Sequence, residues 1–248
     1  MEKLARVIIS IVNEEVSHYS EGRMFRTPIV GFANAHDPLY DQLDSIIGHR
    51  QIHPTEVLPD AQTVAVYFIP FAEAVTSPLR KDKTIVQPWS DAYTHANILL
   101  LSITARLVRE LDALGVTARG EPPTNNYDPV NLTAKWAHKA SAVIAGIGTF
   151  GLNRLIITKS GTAGRLGSVV FNQFIEPTKR PKQQYCLYYQ QGKCKVCLQK
   201  CPTGALREDG YDRFRCNAYL DGKNVHDLEQ GCGMCSSGPC AMKGFCGE

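Results

Sequence analysis

The cysteines are the residues whose type and spacing most clearly indicate chemistry. The chain has 248 residues and nine cysteines, and all nine lie between positions 186 and 246. Cys194, Cys197 and Cys201 are followed by Pro202, which gives the pattern C-x2-C-x3-C-P. This pattern is the last part of the bacterial ferredoxin run, in which the cysteine before proline ligates the other of two 4Fe-4S clusters. The spacing therefore predicts two iron–sulfur clusters in the last quarter of the chain.

The nine cysteines supply enough thiolates for two such clusters, with one to spare. In the full ferredoxin run a cysteine would occupy the position of Gln191, and we take Cys186 as its substitute. We assign the ligands to a first cysteine set of Cys186, Cys194, Cys197 and Cys240, and to a second cysteine set of Cys201, Cys216, Cys232 and Cys235. Cys246 is left over, and partitions that use it in place of Cys240 or Cys186 stay open.

Two other uses of cysteine compete with clusters. Paired C-x2-C motifs also bind structural zinc, and cysteines in an oxidising compartment form disulfides. The amino terminus mixes acidic residues into its apolar positions and lacks the cleavage site of an export signal, so we expect a cytoplasmic protein. The proline after Cys201 and the Thr-Gly-Ala-Leu that follows favour clusters over zinc.

Composition and charge exclude several classes of protein. Hydrophobic residues make up 44% of the chain and charged residues 21%, as in globular proteins. The longest apolar runs fall far short of the roughly 20 residues that cross a bilayer, so we expect no membrane contact. The net charge of +3 comes from residues 179–248, and it is too small to indicate nucleic-acid binding. Cations there suit an anionic cofactor or an acidic electron donor.

Hydrophobic periodicity predicts the elements that must position these cysteines. It indicates an amphipathic helix near the amino terminus, and a strand at residues 62–69 that is buried on both faces. Helices are also predicted at residues 37–48, 89–114 and 131–145, and strands at 152–158 and 167–175. The fold class is α+β, with a boundary after residue 178 and a polar linker at 179–185. The segment beyond has too few aliphatic residues to fold without cross-links.

Four segments resemble one known family. HKASAVIAGIGTFGLNRLIIT (138–158), GSVVFNQFIEP (167–177), CKVCLQKCPTGAL (194–206) and RCNAYL (215–220) are similar to the epoxyqueuosine reductase family, which is related to reductive dehalogenases. The resemblance covers roughly residues 130 to 240. It implies a nitroreductase-like α/β sandwich domain over residues 1–178 and a small ferredoxin-like domain with two 4Fe-4S clusters over residues 179–248.

The same resemblance implies an activity. The chain would be an oxidoreductase that takes electrons from a donor such as a reduced ferredoxin or flavodoxin. It would pass them through both clusters to a base-off cobalamin and reduce a small-molecule or nucleoside-like substrate. An electron carrier or reductive activator without its own substrate chemistry, and a flavin-binding variant, stay open.

The resemblance also implies site residues in the larger domain. The residues that match the family's glycine-rich turn at the cofactor are Gly146, Gly148, Gly151 and Asn153. A tight helix-to-strand turn would explain the same glycines without a cofactor. We take His138 as the candidate proton donor, with Tyr127 and Asp128 behind it, and a core histidine as the alternative.

Two departures from the family bear on the substrate. The acid that protonates the substrate in the tRNA-modifying members would fall near Asn131 or Leu132, and neither residue is an acid. The sequence also ends at Glu248, without the helical-repeat region that those members use to grip tRNA. We therefore expect tRNA to be an unlikely partner.

Overall fold

A four-stranded antiparallel sheet forms the centre of the structure. The computed structural model describes residues 2–81, 86–123, 127–222 and 231–245. The strands of the central sheet lie in the order β1 (Ile29–Asn34), β2 (Thr63–Pro70), β8 (Gly164–Phe171) and β3 (Ala118–Glu121). Two short hairpins pair β4 (Tyr127–Asp128) with β5 (Thr133–Ala134), and β6 (Gly148–Phe150) with β7 (Ile156–Thr158).

Helices cover both faces of this sheet. The helices on one face are α1 (Glu2–His18), α4 (Glu73–Lys81) and α5 (Gln87–Ala113). Those on the other face are α2 (Pro38–Ile47), α3 (Pro54–Val57) and α6 (His138–Ile144). The predicted mixed helix-and-strand fold is confirmed by this layered arrangement. No helix in the four described ranges is long and apolar enough to span a membrane.

Strand β2 explains why the sheet needs helices on both sides. All eight of its residues are buried, and alternate side chains point to opposite faces. Tyr67 and Ile69 enter the core beneath α5, whereas Val66 and Phe68 enter the core beneath α6. An almost uncharged, β-branched run is what burial on two faces requires, and the predicted strand is confirmed.

The predicted helix at residues 131–145 is wrong in its first half. The carboxylate of Asp128 accepts hydrogen bonds from the backbone N–H groups of Val130 and Asn131, which closes a local turn. Leu132 then adopts a positive φ of 53°, and the chain returns as strand β5. Only residues from His138 onward form the helix. The periodicity did not reveal this because a side-chain turn competes locally with helix formation.

Three other boundaries differ from the prediction. Strand β1 was not predicted, and the strand expected at 152–158 is regular only from Ile156, where it pairs with β6. The strand expected at 167–175 begins at Gly164 and ends at Phe171. Gly164 lies opposite Pro70, so the strand starts three residues before the predicted position.

The cysteine-rich segment is made of short helices that pack on the larger core. These helices are α7 (Leu187–Gln191), α8 (Val196–Lys200), α9 (Arg213–Asp221) and two 3-10 turns at Met234–Ser236 and Pro239–Ala241. Met234 and Ala241 are buried in the same core as α1 and α5. The indole N–H of Trp89 donates to the carbonyl oxygen of Gly231 at 2.8 Å. The division of the chain into domains at residues 1–178 and 179–248 stays a prediction.

Replacing Ile69 by alanine tests the importance of the two-sided core. The side chain of Ile69 is fully buried, so we expect the free energy of unfolding to fall by about 3 kcal/mol. In Ile46→Ala the lost side chain is 63% exposed, and the change should stay within about 0.5 kcal/mol. Denaturant unfolding of both variants and the wild type measures the difference. Equal losses from the two substitutions would contradict the packing described above.

Candidate functional site

The first cysteine set surrounds a small cavity. Its four thiols line about 340 Å³ of empty space, part of which opens to solvent, together with Leu152, Ile157, Val196 and Phe245. Burial raises the pKa of the Cys197 thiol to about 11, and the nearby Cys186 and Cys194 add to that rise. Burial likewise raises the pKa of Cys240 to about 12, with contributions from the same set. These four sulfurs therefore lie close enough together to interact electrostatically.

Different elements bring the first set together. Cys186 immediately precedes α7, Cys197 lies on α8, and Cys194 lies in the loop between those helices. Cys240 arrives from the 3-10 turn at Pro239–Ala241. Its carbonyl oxygen accepts a hydrogen bond from the backbone N–H of Thr162, just before β8, at 2.9 Å. This bond ties the cavity to the central sheet.

The thiols of the second cysteine set also interact with one another. Burial raises the pKa of Cys232 to about 11, and the charges of Cys216 and Cys201 raise it further. Burial also raises the pKa of Cys235, and the charges of Cys232, Cys216, Cys201 and Cys197 raise it further. Cys197 belongs to the first set, so the two sets also lie close to each other. Their role as cluster ligands stays a prediction.

None of the cysteines in the described residues is in a disulfide, and all eight are free thiols. Within the same part of the chain, no three His, Cys, Asp or Glu side chains converge on a single metal-ion position. Cys246, the left-over cysteine of the sequence, lies outside the described residues.

Packing explains the glycines of the predicted cofactor turn. Gly146 has a φ of +70°, and a Cβ there would lie 2.8 Å from the carbonyl oxygens of Thr178 and Lys179. A Cβ on Gly148 would lie 2.4 Å from the carbonyl oxygen of Ile157, its neighbour across the β6–β7 hairpin. One on Gly151 would approach the Asn153 side chain at 2.6 Å. These contacts alone require glycine, so a cofactor role for the turn stays a prediction.

Asn153 connects this turn to the second cysteine set. Its side chain is buried, and its Nδ2 donates to the carbonyl oxygen of Cys235 at 3.0 Å. Its Oδ1 accepts from the backbone N–H of Leu155 at 3.2 Å. The amide thereby fixes the position of the Cys235 loop against the larger unit. The sequence analysis identified Asn153 as a site residue, but its partner Cys235 could be found only from the folded structure.

His138 is held in a chain of hydrogen bonds. Its Nε2 lies 3.0 Å from the carbonyl oxygen of Pro122, so this nitrogen carries the proton. Its Nδ1 lies 2.9 Å from the hydroxyl of Ser168, which also accepts from the Trp136 indole at 2.9 Å. Burial lowers the pKa of His138 to about 4. Both ring nitrogens of the neutral imidazole are engaged, and its role as a proton donor stays a prediction.

The carboxylate nearest in sequence to the expected acid position is Asp128. Hydrogen bonds from the backbone of Asn131, its side-chain amide and the backbone of Val130 lower the pKa of Asp128. The group is therefore ionised at neutral pH, which suits it to closing the β4–β5 hairpin. It is poorly suited to donating a proton.

Lys139 and Arg154 are basic residues next to the glycine turn, and the sequence did not indicate that they lie close together. Lys139 has an exposed side chain, yet the protein around its ammonium lowers its pKa by desolvation. Its Nζ lies 3.3 Å from the carbonyl oxygen of Arg154. Arg154 has a positive φ of 60°, and its Nε is buried without a hydrogen-bond partner in the described structure. A buried N–H donor of this kind fits a ligand with an acceptor oxygen.

Substitution at Gly161 tests the connection between the first cysteine set and the sheet. Gly161 has a φ of +90°, and a Cβ there would lie 2.3 Å from the carbonyl oxygen of Ala241. We expect Gly161→Ala to displace Cys240. After anaerobic reconstitution, this variant should bind less iron than the wild type, because the cluster predicted for the first set would lose a ligand. The control Gly48→Ala shares a positive φ of +85° but meets no described atom within 4 Å. It should cost only about 1 kcal/mol and keep full iron. Equal iron in both variants would refute the connection.

The burial of His138 predicts a pH dependence of stability. Its pKa of about 4 in the fold lies below the usual 6.5, so the unfolded chain binds more protons between those pH values. The free energy of unfolding should fall as pH drops from about 6.5 to about 4, by about 3 kcal/mol from this group. Thermal unfolding at several pH values should show a shallower slope for His138→Asn. The exposed control His36→Asn should keep the wild-type slope.

Comparison with known proteins places these features in context. No model of a protein family matches the chain. The epoxyqueuosine reductase of Aliivibrio fischeri is 31% identical over 122 residues, which cover 48% of this chain and 31% of that protein. The match spans about a third of that relative's length. The structure of the epoxyqueuosine reductase from Streptococcus thermophilus superposes with a TM-score of 0.60 at 22% identity, covering 94% of this chain and 68% of that one.

A second group of solved structures has the same fold. A reductive dehalogenase, whose structure suggests a mechanism for B12-dependent dehalogenation, superposes with a TM-score of 0.59 at 14% identity. The superposition covers 84% of this chain and 28% of the dehalogenase. At this identity the likeness establishes the fold alone.

One comparison corrects the expectation about partners. An epoxyqueuosine reductase crystallised with a tRNA-Tyr stem loop that carries epoxyqueuosine superposes with a TM-score of 0.56 at 20% identity, covering 96% of this chain and 68% of that one. The expectation that tRNA is an unlikely partner is therefore wrong. It rested on the missing acid near Asn131 or Leu132 and on the end of the sequence at Glu248, whereas 96% of the present chain superposes on a tRNA-bound protein. The predicted resemblance to epoxyqueuosine reductases is confirmed, with the fold shared by reductive dehalogenases.

Proposed function

We propose that the chain is an iron–sulfur reductase that acts on a modified nucleoside of the epoxyqueuosine class, presented in an RNA stem loop. Electrons from a ferredoxin-like or flavodoxin-like donor would pass through two 4Fe-4S clusters to a cobalamin. The larger unit would be the nitroreductase-like domain that binds the cobalamin, and residues 179–248 would be the ferredoxin-like domain.

The observation that carries this proposal is the cavity that the four cysteines of the first set line, with four further free thiols in the same segment. Thiolate sulfur is the ligand that iron–sulfur clusters require, and four thiolates hold one 4Fe-4S cluster. The first cysteine set would hold one cluster and the second would hold the other. The residues present fit these groups in number and in donor chemistry. Bound clusters would supply one-electron transfer at this end of the molecule.

The residues around the glycine turn also fit a large polar cofactor. The unpartnered Nε of Arg154 and the ammonium of Lys139, whose side chain is exposed, offer hydrogen-bond donors to acceptor oxygens such as amides or phosphate. Lys139 lies near enough to Cys235 for the cysteine's charge to raise the lysine pKa against desolvation. A cobalamin bound beside these donors would supply strong reducing power next to the second cysteine set.

The reaction also needs a source of protons. Removal of an epoxide oxygen consumes two electrons and two protons and releases water, so a proton donor must lie beside that oxygen. Asp128 is held ionised, and His138 has both ring nitrogens in hydrogen bonds. We therefore expect proton delivery to depend on water or on the RNA-bound substrate itself.

Anaerobic cofactor analysis tests the proposal. The full chain should bind about eight irons and eight sulfides, and Cys197→Ala and Cys201→Ala should each lose about half of them. Cys246→Ala should keep the full amount, because that cysteine belongs to neither set. Zinc in place of iron, or full iron in Cys197→Ala, would overturn the assignment.

The same preparation allows the substrate class to be tested. With added cobalamin and a chemical reductant, it should remove oxygen from epoxyqueuosine in a tRNA stem loop, as measured by mass spectrometry of the nucleosides. An unmodified stem loop is the control for non-specific change. A protein that carries both clusters and binds cobalamin but leaves the epoxide intact would refute the proposed substrate. The proposed electron transfer through the clusters to cobalamin would still stand.

A further inference from the structure

Glu121, the last residue of β3, has a half-buried side chain without a charged partner. In the described ranges of the chain, no hydrogen bond or ion pair reaches its carboxyl group, and burial raises its pKa. The other described glutamates with a shifted pKa are each lowered by a basic side chain, that of Arg106, Arg50 or Lys195. The surroundings of Glu121, in contrast, favour the protonated form.

The register of the sheet places Glu121 beside Ser168. The two residues lie directly opposite each other in the pairing of β3 with β8, and opposite side chains project from the same face of a sheet. The hydroxyl of Ser168 lies 2.9 Å from Nδ1 of His138, at the start of α6. Gly120 faces the other side, because a Cβ there would meet Thr104 of α5. Glu121 therefore projects toward the side of the sheet on which His138 lies.

The backbone that follows Glu121 is held by neighbouring side chains. The carbonyl oxygen of Pro122 lies 3.0 Å from Nε2 of His138. The carbonyl oxygen of Pro123 accepts a hydrogen bond from the guanidinium of Arg165 at 3.1 Å. These contacts fix the end of β3 against α6 and β8.

The helix start that Glu121 faces also borders the proposed cofactor region. It continues into Lys139, whose Nζ lies 3.3 Å from the carbonyl oxygen of Arg154. The preceding residue, Asn153, donates to the carbonyl oxygen of Cys235. A short path of contacts thus connects the end of β3 with the region in which the proposed function places the cobalamin.

Within the described residues, no cation neutralises Glu121. Arg165 donates instead to Asn97, Tyr93 and Pro123. The other charged or titratable side chains on the elements around this end of β3 are Arg119, Asp128, Lys135, His138 and Lys139. None of these described groups forms an ion pair with Glu121, so the cost of burying its charge is not offset. This favours a neutral carboxyl group, which can donate a proton.

Removal of the epoxide oxygen needs such an acid. We propose that Glu121 supplies protons for this reaction through water at the end of β3. Two electrons from the ferredoxin-like or flavodoxin-like donor would break both carbon–oxygen bonds and leave a carbon–carbon double bond. The oxygen would depart as water with two protons, and Glu121 would give one proton at a time and regain it from solvent. This inference rests on the proposed function.

Replacing Glu121 by glutamine tests this role, because glutamine keeps the shape but has no acidic proton. In the assay with cobalamin, chemical reductant and the epoxyqueuosine stem loop, kcat of Glu121→Gln should fall by about 100-fold or more. Iron content, cobalamin binding and KM should stay unchanged. The wild-type kcat should fall as pH rises through the pKa of Glu121, and the residual activity of the variant should lack this fall. Glu121→Asp, which keeps an acid, should restore the fall and part of the activity.

Glu176→Gln is the matched control. Glu176 is an exposed glutamate outside the central sheet, so this variant should keep the wild-type kcat and pH profile.

A second measurement needs neither cobalamin nor substrate. Burial raises the pKa of Glu121 above the ordinary 4.5, so the folded chain keeps a proton that the unfolded chain loses as pH rises past that value. The free energy of unfolding of the wild type should therefore fall, relative to that of Glu121→Gln, as pH rises from 4.5 toward neutrality. Relative to that of Glu176→Gln, it should stay constant.

The possible failures can be told apart. If the wild type is active and Glu121→Gln keeps its kcat and pH profile, the inference is wrong and the proposed function stands. The same pH dependence of stability in the wild type and in Glu121→Gln would also overturn the inference, because the carboxyl would then hold no extra proton. A wild type that carries both clusters and cobalamin but leaves the epoxide intact would refute the proposed substrate, and this role with it.

Discussion

The arrangement of both cysteine sets depends on one backbone junction. The N–H groups of Thr162 and Ala163, at the entrance to β8, donate to the carbonyl oxygens of Cys240 and Ala241 at 2.9 and 3.1 Å. The same segment carries Cys240 of the first set and Cys232 and Cys235 of the second. Each set therefore has at least one member in it. Buried backbone groups must be paired, and here their partners belong to the central sheet. The sheet therefore fixes where both sets form.

This junction is needed because the cysteine-rich segment has little core of its own. Its hydrophobic cluster contains Leu152 and Ile157 from the larger unit, and several of its remaining members are the cysteines themselves. Burial raises the pKa of thiols such as Cys197 and Cys240, so without a cation they stay protonated at neutral pH. Ligands must lose those protons when metal binds, and ligation energy becomes part of the folding energy. Ligation and folding of this segment should therefore be coupled.

Sequence patterns were informative where one physical requirement dominated. Burial on two faces demands an apolar β-branched run, so β2 could be predicted. Cluster ligation demands cysteine, so the cysteine-rich segment could be recognised from the sequence, and its assignment to two clusters stays a prediction. The β4–β5 hairpin could not be predicted, because the Asp128 turn overrides a helical periodicity. The partner of Asn153 could not be predicted either, because its contact with Cys235 joins residues far apart in sequence.

The contacts of His138 give it a positioning role in addition to the predicted role as a proton donor, which stays a prediction. His138 lies at the start of α6, bonded on one side to the loop after β3 and on the other to Ser168 of β8. Trp136 donates to the same serine, so the two residues that flank the helix start share one anchor on the sheet. This anchor fixes the direction of α6, and the glycine turn follows directly from its end. A neutral histidine with both nitrogens bonded thus positions the turn and the Cys235 loop beyond it, and any direct part in catalysis would require breaking one of these bonds.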